Sequence, residues 1–366
     1  MSRPLVARID AAALTHNLMV ARRAAGRSRV LAVIKANGYG HGLLSAAAAL
    51  RAADGFAVLT LEEAAALRGA GYTHPIVLLE GFFHPDELAE ITRLRLRPVI
   101  HREDQADLLC RARLEHKLDI LLKVDTGMHR LGLNLKRVKA VLAQLRGAAH
   151  VGKIVLMSHF ACADDPAVGV EAQMSRFAEL TGELGLPATD GPAAGMTVSL
   201  ANSAALLRYP ETHGDWVRPG IMLYGASPFT DESGEELGLL PAMTLESQLI
   251  AVQTVRRGEA VGYGGAFVAE RDMKVGVVAC GYADGYPRHA PTGTPILVEG
   301  RRTRVVGRVS MDMLGVDLTP VPHAHVGSPV TLWGVGLAAE EVAGAADTIA
   351  YELFTALARR VRVEEA

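Results

Sequence analysis

The stretch from Arg29 to Gly42, RVLAVIKANGYGHG, places a lysine where soluble proteins rarely have one. Lys35 follows an apolar run, residues 30–34, and turn-forming residues come next, which is typical of a strand buried on both faces. An unpaired buried ammonium is costly, so this amine is expected to be paired, neutralised or used covalently, as in a Schiff base. The alternative is a strand-end lysine whose ammonium reaches solvent.

Further polar residues follow later apolar runs in the same way. In a parallel barrel the carboxyl ends of the strands meet at one mouth, where the chemistry gathers. Solvated loop residues would instead be expected at both ends of the strands equally. The candidate residues are Lys123, Asp125, Arg130, His159, Asn202, Ser203 and Arg218.

The elements that must position these residues are short strands that alternate with helical segments. Eight such βα units predict a TIM-type (β/α)8 barrel within a first domain, residues 1–230. A strand at Val6–Ile9 and a helix at Ala11–Ala25 are expected outside the barrel. The barrel strands are predicted at Val30–Lys35, Phe56–Thr60, Ile76–Glu80, Arg97–His101, Asp119–Val124, Lys153–Ser158, Thr197–Ala201 and Trp216–Tyr224.

The second domain, residues 231–366, is predicted to be mostly β, with a closing helix near 347–360. It begins in an acidic, glycine-containing connection and continues in strand-like stretches separated by turns such as Glu299-Gly300. The fold class is therefore α/β, a barrel followed by a β domain.

Composition excludes several functional classes. The chain has 366 residues, with 38 basic against 40 acidic side chains and no block of like charge, so neither nucleic acid nor an anionic membrane is an expected partner. The N-terminus lacks an apolar signal core, which favours a soluble, cytoplasmic protein. The chain has three widely spaced cysteines, Cys110, Cys162 and Cys280. This odd number and spacing favour reduced thiols over a disulfide frame or a zinc site. No metal site is predicted.

Ser203 and Gly220 are candidates for binding a phosphate. The loops after the seventh and eighth strands commonly bind phosphate in this fold, where hydroxyls and backbone N–H groups can surround an anion. Taken alone, the segment ANSAA is typical of a helix N-cap. The two roles are compatible, because a helix N-terminus also attracts phosphate.

Six motifs, in order along residues 4–360, resemble the pyridoxal-phosphate-dependent alanine racemases. These motifs are AVIKANGYGHG, DTGMHRLG, VRPG, AVGYGG, GYADGYPRHAPTGTP and VGRVSMDM. The resemblance implies an isomerase that interconverts L- and D-alanine with pyridoxal 5'-phosphate as cofactor. Departures are small, for example Cys162 where the family usually has serine or threonine.

The resemblance also implies how the cofactor is bound. Lys35 would hold it covalently, and Arg218 would face its pyridine nitrogen, where many pyridoxal enzymes have a carboxylate. Because a guanidinium stays protonated, it would leave the ring nitrogen unprotonated. An unprotonated ring is a weaker electron sink, which disfavours transamination. The alternative for Arg218 is a structural pair with a carboxylate. The other cofactor-binding residues would be Tyr39, His159, Asn202, Ser203, Tyr351 and the backbone of Gly220 and Ile221.

Inversion at carbon requires an acid/base group on each face, and the resemblance assigns Tyr263 as the second base beside Lys35. Taken alone, the segment VGYGG is more typical of a tyrosine at the rim of a domain, in a glycine-rich turn, than of a catalytic base. Met311 would bind the substrate carboxylate, and Arg130 would contact that carboxylate or the tyrosine phenol beside it. Lys123, a cation near Arg130, would be carbamylated and so become an anion that orients the arginine.

The resemblance further implies a homodimer in which each active site is shared between subunits. Two other functions stay open at this stage. A pyridoxal-phosphate homeostasis protein has the same barrel but needs no second domain, and a barrel decarboxylase needs a carboxylate at the ring nitrogen. The role of the racemase, in peptidoglycan precursor supply or in alanine catabolism, is left open.

Overall fold

The computed structural model describes residues 3–185 and 196–366, and the chain forms two compact units. One unit comprises residues 17–38 and 42–223. The other comprises the residues up to 16, 39–41 and 224–366, and its first strand is β1, Val6–Ile9. In the described ranges no helix is long and apolar enough to cross a membrane.

The first unit contains an eight-stranded parallel sheet in the order β8-β7-β6-β5-β4-β3-β2-β9. Its strands are short because each leaves the barrel soon after its buried apolar segment. This confirms the predicted (β/α)8 barrel. The strands are β2 Arg29–Val33, β3 Gly55–Val58, β4 Ile76–Leu78, β5 Arg97–Ile100, β6 Leu118–Lys123, β7 Val151–Met157, β8 Thr197–Ser199 and β9 Trp216–Val217.

The barrel closes between β8 and β9 through a mixture of backbone and side-chain hydrogen bonds. The backbone N–H of Asp215 donates to the Val198 carbonyl at 2.9 Å, and the Asp215 carboxylate accepts from the Val198 N–H at 2.8 Å. The Ser199 hydroxyl donates to the Trp216 carbonyl at 3.0 Å. β9 is much shorter than the predicted 216–224, because Pro219 cannot donate to a ladder and a 3₁₀ turn follows it.

Helices surround the barrel strands and bury their apolar faces against them. The helix α3, Leu61–Gly69, shows why the chain turns helical at this point: Thr60 and Glu63 form a reciprocal capping box. The other helices of the first 223 residues are α1 Ala11–Ala25, α2 Leu43–Ala49, α4 Glu87–Arg93, α5 Glu103–Arg111, α6 Leu135–Gly147, α7 Glu171–Glu183 and α8 Ser203–Arg208.

The second unit is mostly β, as predicted. Its large sheet has the order β13-β16-β15-β14-β17-β10-β1-β18, with β1 antiparallel to β10 and parallel to β18. The predicted closing helix at 347–360 is shorter, and an additional helix precedes it. The elements are β10 Met243–Val255, β11 Ala260–Val261, β12 Phe267–Val268, β13 Met273–Val278, β14 Pro295–Val298, β15 Arg301–Val306, β16 Leu314–Asp317, β17 Pro329–Trp333, α9 Ala339–Ala345, α10 Ala350–Thr355 and β18 Arg362–Glu365.

Candidate active site

The carboxyl ends of the barrel strands bring four cationic side chains and one histidine close enough to perturb one another. Burial, followed by charge repulsion within this group, lowers the pKa of each of three members, Lys35, Lys123 and His159. The other two members are Arg130 and Arg218. Polar residues predicted from four separate strand ends thus lie at one mouth, and positive charge dominates there.

Lys35 lies two residues beyond the end of β2 and is half-buried. Burial and the nearby Arg130 guanidinium lower the pKa of its amine, and Glu80 and Glu63 partly oppose this effect. The chain then turns sharply, because Ala36, Asn37, Gly38 and Tyr39 all adopt left-handed backbone conformations, with φ between 51° and 61°. Such a turn is costly for residues other than glycine, and it fixes the chain direction directly after the lysine.

Lys123 is the last residue of β6, and its side chain is buried. Burial, followed by the charges of Arg218, Arg130 and Lys35, lowers the pKa of its amine to about 8, although Asp125 opposes the shift. At pH 7 about a tenth of this amine is therefore uncharged and nucleophilic, far more than for an ordinary lysine.

Arg218 is 3% exposed, and its guanidinium is held rigidly. It donates to the Ser199 hydroxyl at 2.7 Å and to the carbonyls of Ser158 at 2.7 Å and Leu200 at 3.1 Å. Burial lowers its pKa to about 10, so it is still protonated at neutral pH. Within the described ranges no carboxylate pairs with it. The structural ion pair considered as an alternative for Arg218 is therefore not formed with any described residue.

His159 follows β7, and its Nδ1 lies 3.3 Å from Nη2 of Arg218. Because a guanidinium only donates, Nδ1 must accept, and the ring proton is assigned to Nε2. Burial, then the charges of Arg218 and Lys123, lower the pKa of His159 well below its usual value. The imidazole is therefore neutral and can donate a hydrogen bond from Nε2.

Ser203 and Gly220 lie together, as predicted from the loops after the seventh and eighth strands. The backbone N–H of Gly220 donates to Oγ of Ser203 at 2.8 Å, and Ile221 begins the next 3₁₀ turn. The Asn202 side chain caps α8 by accepting from the Ala205 N–H at 2.9 Å. The N-cap interpretation of this segment is thus confirmed for Asn202.

Sequence reasoning missed a buried polar layer under this site. Gln173 donates from Nε2 to the Thr126 hydroxyl and to the His159 carbonyl, both at 3.0 Å. The Ser158 hydroxyl lies 2.8 Å from that of Thr126. These residues fix the backbone of His159, and their uncharged side chains carry no sequence signal that distinguishes them from ordinary helix and strand residues.

Tyr39 lies in the second unit, where it is buried in an aromatic group. Its ring stacks on Tyr224 at a centroid distance of 4.6 Å, and the Tyr351 ring lies 6.0 Å away. Burial raises the pKa of the Tyr39 phenol, which therefore stays protonated. Two tyrosines predicted to bind the same phosphate are thus neighbours in the structure.

Tyr263 and Met311 are prominent on the surface of the second unit, with exposures of 68% and 53%. Tyr263 begins a 3₁₀ turn at 263–265 between β11 and β12. The same turn lies against Arg308, since a Cβ on Gly264 would come within 3.0 Å of that guanidinium. Neither side chain is buried in the core of this unit.

The turn that carries Met311 is anchored by a buried carboxylate. Asp284 is fully buried and accepts from Arg3 and Arg360, each at 2.7 Å. Arg360 also pairs with Asp312 at 2.6 Å, and the backbone N–H of Ala283 donates to the Met311 carbonyl at 2.9 Å. The roles of Asp284 and Asp312 seen in the structure are therefore pairing roles.

Comparison with known proteins gives a consistent result over the whole chain. Family models for the alanine racemase N-terminal domain and C-terminal domain match residues 9–228 and 242–364. An alanine racemase of Nitrosomonas eutropha is 55% identical over 365 residues, covering 99% of this chain and 98% of that one. A catabolic alanine racemase of Klebsiella aerogenes is 52% identical and covers 99% of both. The crystal structure of the biosynthetic alanine racemase from Pseudomonas aeruginosa matches with a TM-score of 0.93 at 48% identity, over 100% and 99% of the chains.

Proposed function

The chain belongs to the alanine racemase family, and from that premise we propose that it interconverts L- and D-alanine with pyridoxal 5'-phosphate, using Lys35 and Tyr263 as the two bases. The observation that carries this proposal is the barrel mouth. There a half-buried lysine of lowered pKa and a buried arginine that no described carboxylate neutralises, Arg218, both act on Lys123 and His159.

The residues present fit such a cofactor. A phosphate group suits the Ser203 hydroxyl, which accepts from the Gly220 N–H and keeps its own proton to donate, and Tyr39 and Tyr351 are neighbours with a protonated phenol at Tyr39. The positive charge of the mouth favours an anionic group in general. When bound through Lys35, the cofactor supplies an electron sink for the pair of electrons left on the substrate carbon.

Arg218 controls how strong that sink is. Its guanidinium has a fixed position and is still charged at neutral pH, so at a pyridine nitrogen it donates a hydrogen bond and leaves the nitrogen unprotonated. A weaker sink leaves more negative charge at the substrate carbon, which favours reprotonation there. His159, held neutral beside Arg218, completes the positioning of this group without adding a charge.

Proton transfer needs a base on each face of the substrate carbon. Lys35 takes or gives the proton at Nζ on one face, and its lowered pKa makes the neutral amine accessible. Tyr263 serves the other face from its phenol oxygen. Because Tyr263 and Met311 are exposed, we propose that a homodimer lends them to the barrel of the other subunit, with Arg130 and Met311 binding the alanine carboxylate.

Lys123 is proposed to be carbamylated. Its neutral amine can add carbon dioxide and release a proton, and the resulting anion relieves the repulsion among Arg218, Arg130 and Lys35. This anion would orient Arg130, which is exposed at the mouth.

Two observations disfavour the other functions considered. The match of residues 242–364 to the family's C-terminal domain is unexpected for a homeostasis protein that needs only the barrel. A decarboxylase needs a carboxylate at the ring nitrogen, where this chain offers Arg218. A cytoplasmic place of action, in peptidoglycan precursor supply or in alanine catabolism, agrees with both the biosynthetic and the catabolic relatives.

The decisive experiment incubates the purified chain with each amino acid in deuterated water, with and without pyridoxal 5'-phosphate. Alanine of either configuration is expected to become racemic and deuterated at the α-carbon only when the cofactor is present. Racemisation without the cofactor, or deuteration without any change of configuration, would overturn the two-base proposal. Serine and other amino acids in the same assay measure substrate breadth.

A further inference from the structure

A second concave site lies at the opposite end of the barrel from Lys35. It is a cavity of about 760 Å³ lined by the segments that lead into β4, β5 and β6. Because those segments precede their strands, the cavity is at the amino-terminal end of the barrel, whereas the candidate active site is at the carboxyl end. It therefore cannot be an extension of the active site.

Positive charge dominates the lining of this cavity. Asp119 is its one acidic residue, and that carboxylate is already paired with Arg97 at 2.9 Å. Arg93 is paired with Glu90 outside the lining. Three lining cations of the described residues then have no carboxylate partner, namely Arg68, Arg95 and Lys117.

Arg68 lines the cavity and is held in place by backbone carbonyls. Its guanidinium donates to the carbonyls of Tyr72 at 2.6 Å, His74 at 2.8 Å and Leu94 at 2.8 Å, so it joins the two loops that precede β4 and β5. These contacts fix the geometry but cancel no charge. Burial and the nearby charge of Arg95 lower the pKa of Arg68, which indicates that the two guanidinium groups repel each other.

Arg95 and Lys117 offer the free donors. Both are exposed, lie on different loops of the cavity, and make no side-chain hydrogen bond within the described ranges. A preformed cavity with several uncompensated cations and available N–H donors is suited to an anion that carries more than one negative charge. Such an anion would also offset the repulsion between Arg68 and Arg95.

We propose that this cavity binds a small polyphosphate anion, either an inorganic polyphosphate or the phosphate chain of a nucleotide. A diphosphate or triphosphate carries enough negative charge to pair with all three uncompensated cations, whereas a monophosphate, with at most about two charges, or a single carboxylate does not. Arginine and lysine donors also suit phosphate oxygens better than they suit neutral ligands.

The test measures binding of inorganic triphosphate to the full chain by titration calorimetry. The protein is first saturated with pyridoxal 5'-phosphate and freed of excess, so that the proposed cofactor site is filled. We expect one triphosphate per chain, and each of Arg95→Glu and Lys117→Glu should weaken binding at least about tenfold. Arg23→Glu and Lys139→Glu, at exposed residues outside the cavity, are the charge-matched controls and should change affinity less than about twofold.

Two further measurements distinguish a nucleotide from an inorganic polyphosphate as the ligand, and this cavity from the active site as the place of binding. Adenosine triphosphate should bind more tightly than inorganic triphosphate if the rest of a nucleotide is also recognised, and about equally if the phosphate chain alone is. Absence of binding, or equal weakening by the control variants, would overturn the proposal. The proposal would also be overturned if triphosphate raised the KM for alanine and its binding were unaffected by Arg95→Glu. Those two results together would mean that triphosphate occupies the active site. The binding readout does not depend on racemase activity.

Discussion

Arg218 and His159 are joined by a 3.3 Å contact in which the histidine must be the acceptor. This one relationship fixes the tautomer of the imidazole and keeps it neutral beside a permanent charge. It also leaves Nε2 of His159 as a donor at the barrel mouth, so that neither residue brings a negative charge to the candidate cofactor site.

The first prediction concerns this pair. His159 should stay neutral at pH 6, where an ordinary histidine of pKa about 6.5 is mostly protonated, because burial and the neighbouring cations disfavour its charged form. Nitrogen NMR of labelled protein should show one accepting and one protonated ring nitrogen for His159 at that pH. Two protonated nitrogens would contradict the prediction. The same protein unfolded in urea provides the control.

Replacing Arg218 tests its proposed role at the cofactor. Arg218→Glu should protonate the ring nitrogen, lower the racemisation rate by about 100-fold or more, and increase transamination, measured as conversion of the cofactor to its amine form. Arg218→Lys keeps the charge but loses the planar set of contacts with Ser199, Ser158 and Leu200, so it should lose rate without a gain in transamination. If both variants transaminate equally, the charge at this position does not control the reaction.

The depressed pKa of Lys123 predicts a pH-dependent stability. Its folded pKa of about 8 lies below the unfolded value of 10.5, so the charged amine destabilises the fold fully below pH 8, by about 3 kcal/mol at most. In carbon-dioxide-free buffer the free energy of unfolding should therefore rise as pH increases from about 8 to 10.5. Urea unfolding of Lys123→Met should lack this rise. Added bicarbonate should stabilise the wild-type protein below pH 8, and no effect of bicarbonate would refute carbamylation.

Sharing of the active site is tested with two inactive variants, Lys35→Ala and Tyr263→Ala. If each site takes one base from each subunit, a mixed dimer contains one site with both residues and one with neither. Random co-refolding should then restore roughly a quarter of the wild-type activity. Persistent inactivity, with mixed dimers verified by mass spectrometry, would place both bases in one chain. Tyr263→Phe should fold normally and lose about 100-fold or more of the rate.

The buried carboxylate beneath the Met311 turn gives a prediction for stability and binding. Asp284→Ala leaves Arg3 and Arg360 without their shared partner and should cost about 3 kcal/mol in the free energy of unfolding. It should also raise the KM for alanine more than it lowers kcat, because the proposed carboxylate contact at Met311 is loosened. Arg8→Ala, which removes more exposed ion pairs to Glu246 and Glu364, is the control and should cost clearly less stability than Asp284→Ala.

The sequence predicted the barrel well because its strands are short apolar runs whose ends are marked by turn residues. Lys35, Lys123 and Arg218 were identifiable since charged residues are conspicuous at the ends of buried strands. Gln173, Thr126 and Ser199 were not, because buried neutral polar groups look like ordinary residues until their partners are known. The length of β9 was overestimated since the apolar residues after Pro219 form a 3₁₀ turn instead of a strand.

The sequence also does not predict which strands pair when they are far apart along the chain. β1 was expected only to lie outside the barrel, and its register with β10 and β18 depends on contacts more than 200 residues apart. The left-handed turn at 36–40 was signalled only as a break, because glycine and asparagine indicate a turn but do not specify five successive residues with positive φ.

The position of β1 between β10 and β18 has a consequence for how the protein is made. The eight barrel strands are complete once residue 217 has been synthesised, whereas β1, which is made before all of them, must wait for residues 362–365 to pair along one of its edges. During translation that edge of β1 therefore stays uncovered while the whole barrel and the strands β10 to β17 are made. The synthesis of β18, and not the completion of the barrel, is the event that allows the second sheet to be completed.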